Sequence, residues 1–187
     1  IEVSDSLLLR LQSLPHVKHV SVFASKPGIL KTDSAFQGVV FKGTDYWDYF
    51  TQNLVEGVLP QHTNEVLIST ELANQLQLQV GENFLCYFIQ ENLRVRRFYI
   101  AGLYNTCMSE LDKLFILGDI DVVRQLNAWQ DNQASGIEIL VDDLRHLDAT
   151  THAVYFATAN RLSESGEAYY TQNLEQLNPN IFGWLDL

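Results

Sequence analysis

The chain of 187 residues is poor in several things that carry chemistry. It has two cysteines, four prolines and one methionine. Two cysteines cannot build a disulfide scaffold. Cys86 and Cys107 form no CxxC pair, and they read either as one disulfide in an oxidising compartment or as two packed thiols. Cationic residues are scarce: 12 Lys and Arg stand against 23 Asp and Glu, a net charge of -11. That sign excludes general binding to nucleic acid and docking on anionic lipid through basic residues, both of which need positive charge. No apolar run reaches the roughly 18 residues of a membrane-spanning helix. GxGxxG, Walker A, GxSxG, HExxH and EF-hand patterns are all missing, so the chain offers no phosphate-cradling loop, nucleophile elbow, zinc-protease helix or calcium loop.

What remains is a core-forming chain. Hydrophobic residues make up 47% and aromatics 11%, with 19% charged, which suits a packed domain rather than a disordered one. No internal repeat is evident. Asp5 or Ser6 caps a helix carrying Leu7, Leu8, Leu11 and Leu14, and Pro15 ends it. Val17 to Ser25 reads as a strand, Pro27-Gly28 as a turn and Gly38 to Gly43 as a second strand. After the aromatic run Tyr46-Trp47-Asp48-Tyr49-Phe50 come a strand at Glu65–Ser69 and a helix capped by Ser69 or Thr70. Asn83–Gln90 and Arg94–Tyr104 pair most simply as an antiparallel hairpin. Leu114–Leu117 is a buried strand, and Asp119 caps the next helix. Ile137–Val141 is a strand, and residues 146–162 read as a helix with Leu162 on its inner side. This interleaving predicts an α+β chain rather than a doubly wound nucleotide fold. The division expected is 1–45 and 119–187 as one part, with a strand-rich insert at 46–118.

Candidate sites are few. His16 and His19 lie three apart on extended chain and point to opposite faces, which argues against a shared metal. His62, His146 and His152 are isolated, and His146, near Asp142 and Asp143, reads as part of a solvated loop. No catalytic residue, cofactor or metal site is assigned. Glu110 and Asp112 read as turn and capping groups. Arg94, Arg96 and Arg97 read as strand-edge charges that discourage pairing. Two surfaces remain for a partner or cargo: Tyr46, Trp47, Tyr49 and Phe50, for which a core wedge is the default reading, and the hairpin tip at Gln90, Glu91, Asn92 and Leu93.

The order of several segments resembles a known family. GVVFKGTD (38–45) precedes Glu56-Gly57-Val58-Leu59-Pro60. Asn64–Ser69, Glu71-Leu72-Ala73 to Leu78, and Val80-Gly81-Glu82 follow; then come Phe98 to Tyr104 and Ser109-Glu110-Leu111-Asp112. This succession resembles the extracytoplasmic domain of LolC/LolE, MacB and FtsX-like ABC-transporter permeases, and is most similar to the lipoprotein-releasing LolC/LolE branch. The resemblance implies a porter-like α/β part made from both chain ends and an inserted Sabre-like part. It implies a non-enzymatic domain on the periplasmic face of the bacterial inner membrane, lying between two membrane spans of a longer protein. A cytoplasmic ATPase subunit, a second permease and a lipoprotein or other envelope cargo are the implied partners. An FtsX-like domain regulating a cell-wall hydrolase, or a soluble periplasmic binding protein, is the alternative. In LolC the hairpin carries a proline-bearing hook that docks a lipoprotein chaperone. Here Gln90 to Arg94 is short and lacks proline, so a docking hook does not follow from the resemblance.

Overall fold

The structure is a computed structural model that describes residues 1–90, 92–159, 161–163 and 165–177. It is α+β, as expected. The elements are α1 (Asp5–Gln12), β1 (Val17–Lys31), β2 (Phe36–Thr44), α2 (Asp48–Thr51), β3 (Leu54–Gly57), β4 (Glu65–Ser69), α3 (Thr70–Leu76), β5 (Asn83–Phe88) and β6 (Arg94–Tyr104). There follow α4 (Ser109–Asp112), β7 (Phe115–Asp119), α5 (Ile120–Asn127), β8 (Gly136–Val141), a 3-10 turn (Leu144–His146), α6 (Leu147–Thr158) and α7 (Leu174–Leu177). By compactness the chain forms two units, residues 1–21 with 137–187, and residues 22–136. The second thus joins residues 22–45 and 119–136 to the strand-rich middle. Among the described residues, no helix is long and apolar enough to cross a membrane.

In the first unit, α1 is capped by Ser4 rather than Asp5 or Ser6; the Ser4 hydroxyl accepts from the Leu7 amide at 3.3 Å. That satisfies one of the amides a helix start leaves without a partner. Leu7 and Leu11, four apart on one helix face, pack with Val154 and Ala157 of α6. Val20, Ile137, Ile139 and Tyr169 close around them. α6 is shorter than the helix expected over 146–162: it ends at Thr158, and Leu162 is exposed in an isolated bridge to Ala168.

The second unit is a strand ring. β1 pairs with β2, β2 with β7, β7 with β4, β4 with β6, β6 with β5, and β5 returns to β1. Closure removes the open edges of a sheet. Pro27-Gly28 does not turn. Both residues lie inside β1, opposite Val40 and Val39, and the hairpin turn comes at residues 32–35. Pro27 falls before β5 joins β1 at Ile29, where a missing N–H disturbs the ladder least. Phe41, Phe88 and Phe98 fill the interior and are almost fully buried. Phe41 stacks on Phe98 at 5.0 Å and meets Phe88 edge-on at 6.1 Å.

The ring holds a repeat that the residues do not advertise. One half runs β1–β2 hairpin, α2, β4, α3; the other runs β5–β6 hairpin, α4, β7, α5. β2 lies parallel to β7 as β6 lies parallel to β4. The equivalent strands β1 and β5 pair antiparallel, as do β4 and β7. In each half a strand ends on its own helix cap: Ser69 accepts from Leu72, and Asp119 from Asp121. Both helices end on a left-handed residue, Gln77 and Ala128. The halves are thus related by a pseudo-two-fold through two seams, Leu67 opposite Leu117 and Leu30 opposite Cys86. β3, which pairs with β6, has no counterpart.

The α5 start presses on β2 so closely that a Cβ on Gly43 would sit 2.5 Å from the Ile120 Cα. That neighbour is backbone and cannot rotate away. Gly43→Ala is therefore expected to cost about 1–3 kcal/mol of stability, read as a lower denaturant midpoint. Gly38→Ala, facing open space, should leave the midpoint nearly unchanged.

Candidate functional site

The aromatic segment and the hairpin tip, named together from sequence, sit at opposite seams of the ring. Thr44 closes β2 by accepting the Tyr46 amide at 3.0 Å, and Trp47 C=O accepts from Phe50 N at 2.9 Å to open α2. This places Phe50 on the seam between β4 and β7, buried against Leu67, Tyr104 and Leu117 with Trp47, Leu54, Leu59 and Phe115 around it. Tyr46 and Trp47 are half-buried. Tyr49 is exposed, its ring edge-on to Phe50 at 5.2 Å. The phenol of Tyr104 donates to Phe115 C=O at 2.7 Å. Burial, with the Asp112 charge nearby, raises its pKa. Asp112 is itself buried and accepts from the Thr106 amide at 3.0 Å, so it has a structural role. Three of the four aromatics therefore give the segment its anchorage and one faces solvent.

The tip lies at the seam between β1 and β5. Gln90 is half-buried and donates to Asn127 Oδ1 at 3.0 Å; Lys26 Nζ donates to the same oxygen at 2.7 Å. Asn92 and Leu93 are exposed, while Glu91 lies outside the described residues. Leu93 is one wall of an apolar groove of about 310 Å³ completed by Ile29, Lys31, Phe36, Tyr87 and Ile89. Its construction follows from the pairing. Ile29 stands opposite Tyr87, and Lys31 stands opposite Phe36 with its ammonium 5.6 Å from the ring centroid. Phe36 and Ile89 are each 70% exposed and Leu93 60%, so three large apolar side chains meet water around one groove. Reading a turn at Pro27 hid Ile29 and Lys31. The alternation in β5 was the available signal: Cys86 and Phe88 point inward, so Tyr87 and Ile89 point out.

Neither cysteine is bonded to the other. Burial pushes the Cys86 thiol up to about 12, so it stays protonated at pH 8 and is shielded, while Cys107 is exposed. A maleimide titration of the folded chain is expected to label one thiol fast and the second only in denaturant. For the aromatic segment, Phe50→Ala should cost about 3–5 kcal/mol. Tyr49→Ala should stay within about 0.5 kcal/mol. Equal losses in thermal unfolding would contradict this division.

Comparison with known proteins shows the fold. No family profile and no curated protein sequence matches the chain. Solved structures do. The extracellular domain of the noncanonic ABC-type transporter YknZ from Gram-positive bacteria matches at a TM-score of 0.57 and 12% identity, over 92% of this chain and 90% of that one. The periplasmic region of MacB from Actinobacillus actinomycetemcomitans matches at a TM-score of 0.59 and 14% identity, over 97% of this chain and 84% of that one. At these identities the likeness is one of fold.

Proposed function

We propose that this chain is the extracytoplasmic domain of an ABC-transporter permease, a part that performs no chemistry of its own and conveys nucleotide-driven movement to cargo. The observation that carries the reading is the likeness over almost the whole chain to the YknZ extracellular domain and the MacB periplasmic region. The motif order from Gly38 to Asp112 supports it independently. In this reading the longer protein sits in the bacterial inner membrane with a cytoplasmic ATPase and a second permease. The cargo is an envelope molecule such as a lipoprotein. The groove walled by Phe36, Ile89 and Leu93 supplies its apolar contact, with Gln90 and Asn92 at the rim; Tyr49, packed edge-on against Phe50 in the same segment as Tyr46 and Trp47, offers a smaller second surface. Exposed apolar side chains suit such a ligand, because their burial against it releases water, and those on paired strands, Ile29, Phe36 and Tyr87, add little ordering cost.

Two experiments test this. The gene on either side of the segment should encode apolar stretches of about 20 residues; a signal peptide before it and a stop codon after it would overturn the permease reading. In the full-length permease, Ile89→Asp with Leu93→Asp should leave membrane level and basal ATPase unchanged. The pair should weaken cargo contact by on the order of 2 kcal/mol, seen as lipoproteins retained in the inner-membrane fraction. Wild-type release by this variant would remove the groove from the proposal while leaving the permease reading to the first test.

A further inference from the structure

His16 finds its partner across the first unit rather than in His19. It follows Pro15 in the left-handed region, at φ 65, a conformation costly for a residue with a Cβ. Its carbonyl accepts from the Asp142 amide at 2.9 Å, which ties the entry to β1 to the exit of β8. Asp143 then caps the 3-10 turn, accepting from Arg145 N at 2.8 Å, and its carbonyl accepts from His146 N at 3.0 Å. Two short, hydrogen-bonded segments thus aim three side chains at one point. His16 Nδ1 lies 3.1 Å from Asp142 Oδ2, and His146 Nδ1 lies 3.2 Å from Asp142 Oδ1. The two imidazoles stack with centroids 3.6 Å apart and planes at 22°. One ligand atom from each residue falls within 4.8 Å of the other two.

We propose that His16, Asp142 and His146 form a binding site for a divalent transition-metal cation of the zinc or copper kind. Two imidazole nitrogens and one carboxylate oxygen are the donors those ions take. A tetrahedral ion with bonds of about 2.0–2.1 Å needs its ligand atoms about 3.3 Å apart. Each imidazole nitrogen lies near that distance from its own carboxylate oxygen, His16 from Oδ2 and His146 from Oδ1, and with all three donors within 4.8 Å a small rotation of the Asp142 carboxylate closes the cage. The three side chains are 39%, 48% and 40% exposed, which leaves an entry path and room for water as the fourth ligand. The neighbouring Arg145 does not compete: it is held by Asp143, with Nη2 2.6 Å from Oδ2 and Nε 3.0 Å from the same oxygen. The chain's net charge of -11 raises cation concentration at its surface. A bound ion would clip the start of β1 to the loop after β8. The site does not depend on the transporter reading.

The test is titration of the 187-residue chain with Zn²⁺, and with Co²⁺ for its visible spectrum, in a non-chelating buffer. One equivalent of Zn²⁺ should bind, Co²⁺ should give the intense bands of a four-coordinate site, and the thermal midpoint should rise with Zn²⁺. His16→Asn tolerates the left-handed backbone, His146→Gln keeps the turn, and Asp142→Asn keeps the shape of the side chain. Loss of a direct ligand exceeds the roughly 10- to 100-fold cost of losing an outer-shell partner, so each variant should lose at least ten-fold in affinity and the zinc-dependent rise in midpoint. His62→Ala should lose neither. Absence of binding at about 1 mM metal, a concentration at which structural sites are saturated, would overturn the proposal. So would affinity unchanged in the folded Asp142→Asn and His146→Gln chains.

Discussion

Closing six strands into one ring requires room for Phe41, and the surrounding sequence is arranged to leave it. The ring is narrower than the eight-stranded barrels whose interiors are just filled by side chains, so one large residue too many prevents closure. Phe41 lies directly over Gly118, where a Cβ would come within 2.3 Å of its ring. Phe88 and the Cys86 sulfur occupy the space beside Gly28 in the same way. Stacking and edge contacts among Phe41, Phe84, Phe88 and Phe98 then supply the large buried area on which a small closed core depends. These glycines are needed for space, and larger residues at Gly28 or Gly118 would displace the aromatic core.

Ring closure also explains where the two candidate surfaces occur. The pseudo-two-fold leaves two seams at which equivalent strands meet, and the two candidate surfaces stand on them. At Leu67–Leu117 the seam is sealed by Phe50 and its neighbours. At Leu30–Cys86 the outer face is left to Ile29, Tyr87 and the exposed Phe36, Ile89 and Leu93. A symmetric frame with one seam covered and the other open makes the open seam the natural place for a ligand. Ile29, Lys31, Phe36 and Tyr87 are held on paired strands, which favours a preformed wall on that side, while Ile89 and Leu93 flank the β5–β6 connection.

Much of the fold was legible because local signals agreed. The Ser69 and Asp119 caps, the hairpin from Asn83 to Tyr104 and the apolar face of α1 each follow from a capping residue or a clear period. Pro27-Gly28 misled because turn chemistry was weighed without strand pairing: proline is tolerated where a strand has one neighbour, and glycine here serves the packing of Phe88. The repeat escaped because it lies in the pairing. Its caps are Ser in one half and Asp in the other, and its first strands have 15 and 6 residues. The His16–Asp142–His146 cluster was invisible for the usual reason that residues far apart in sequence meet only through the fold, although Asp142 and His146, four apart, were half of the signal.

The chain's place outside the cytoplasm is the claim on which the functional account rests, and Cys107 reports on it. In cells expressing the full-length protein, a membrane-impermeant maleimide should label Cys107 in intact spheroplasts, and the labelling should vanish in Cys107→Ser. Labelling of Cys107 that appears only after the inner membrane is broken would place the domain in the cytoplasm and contradict the account.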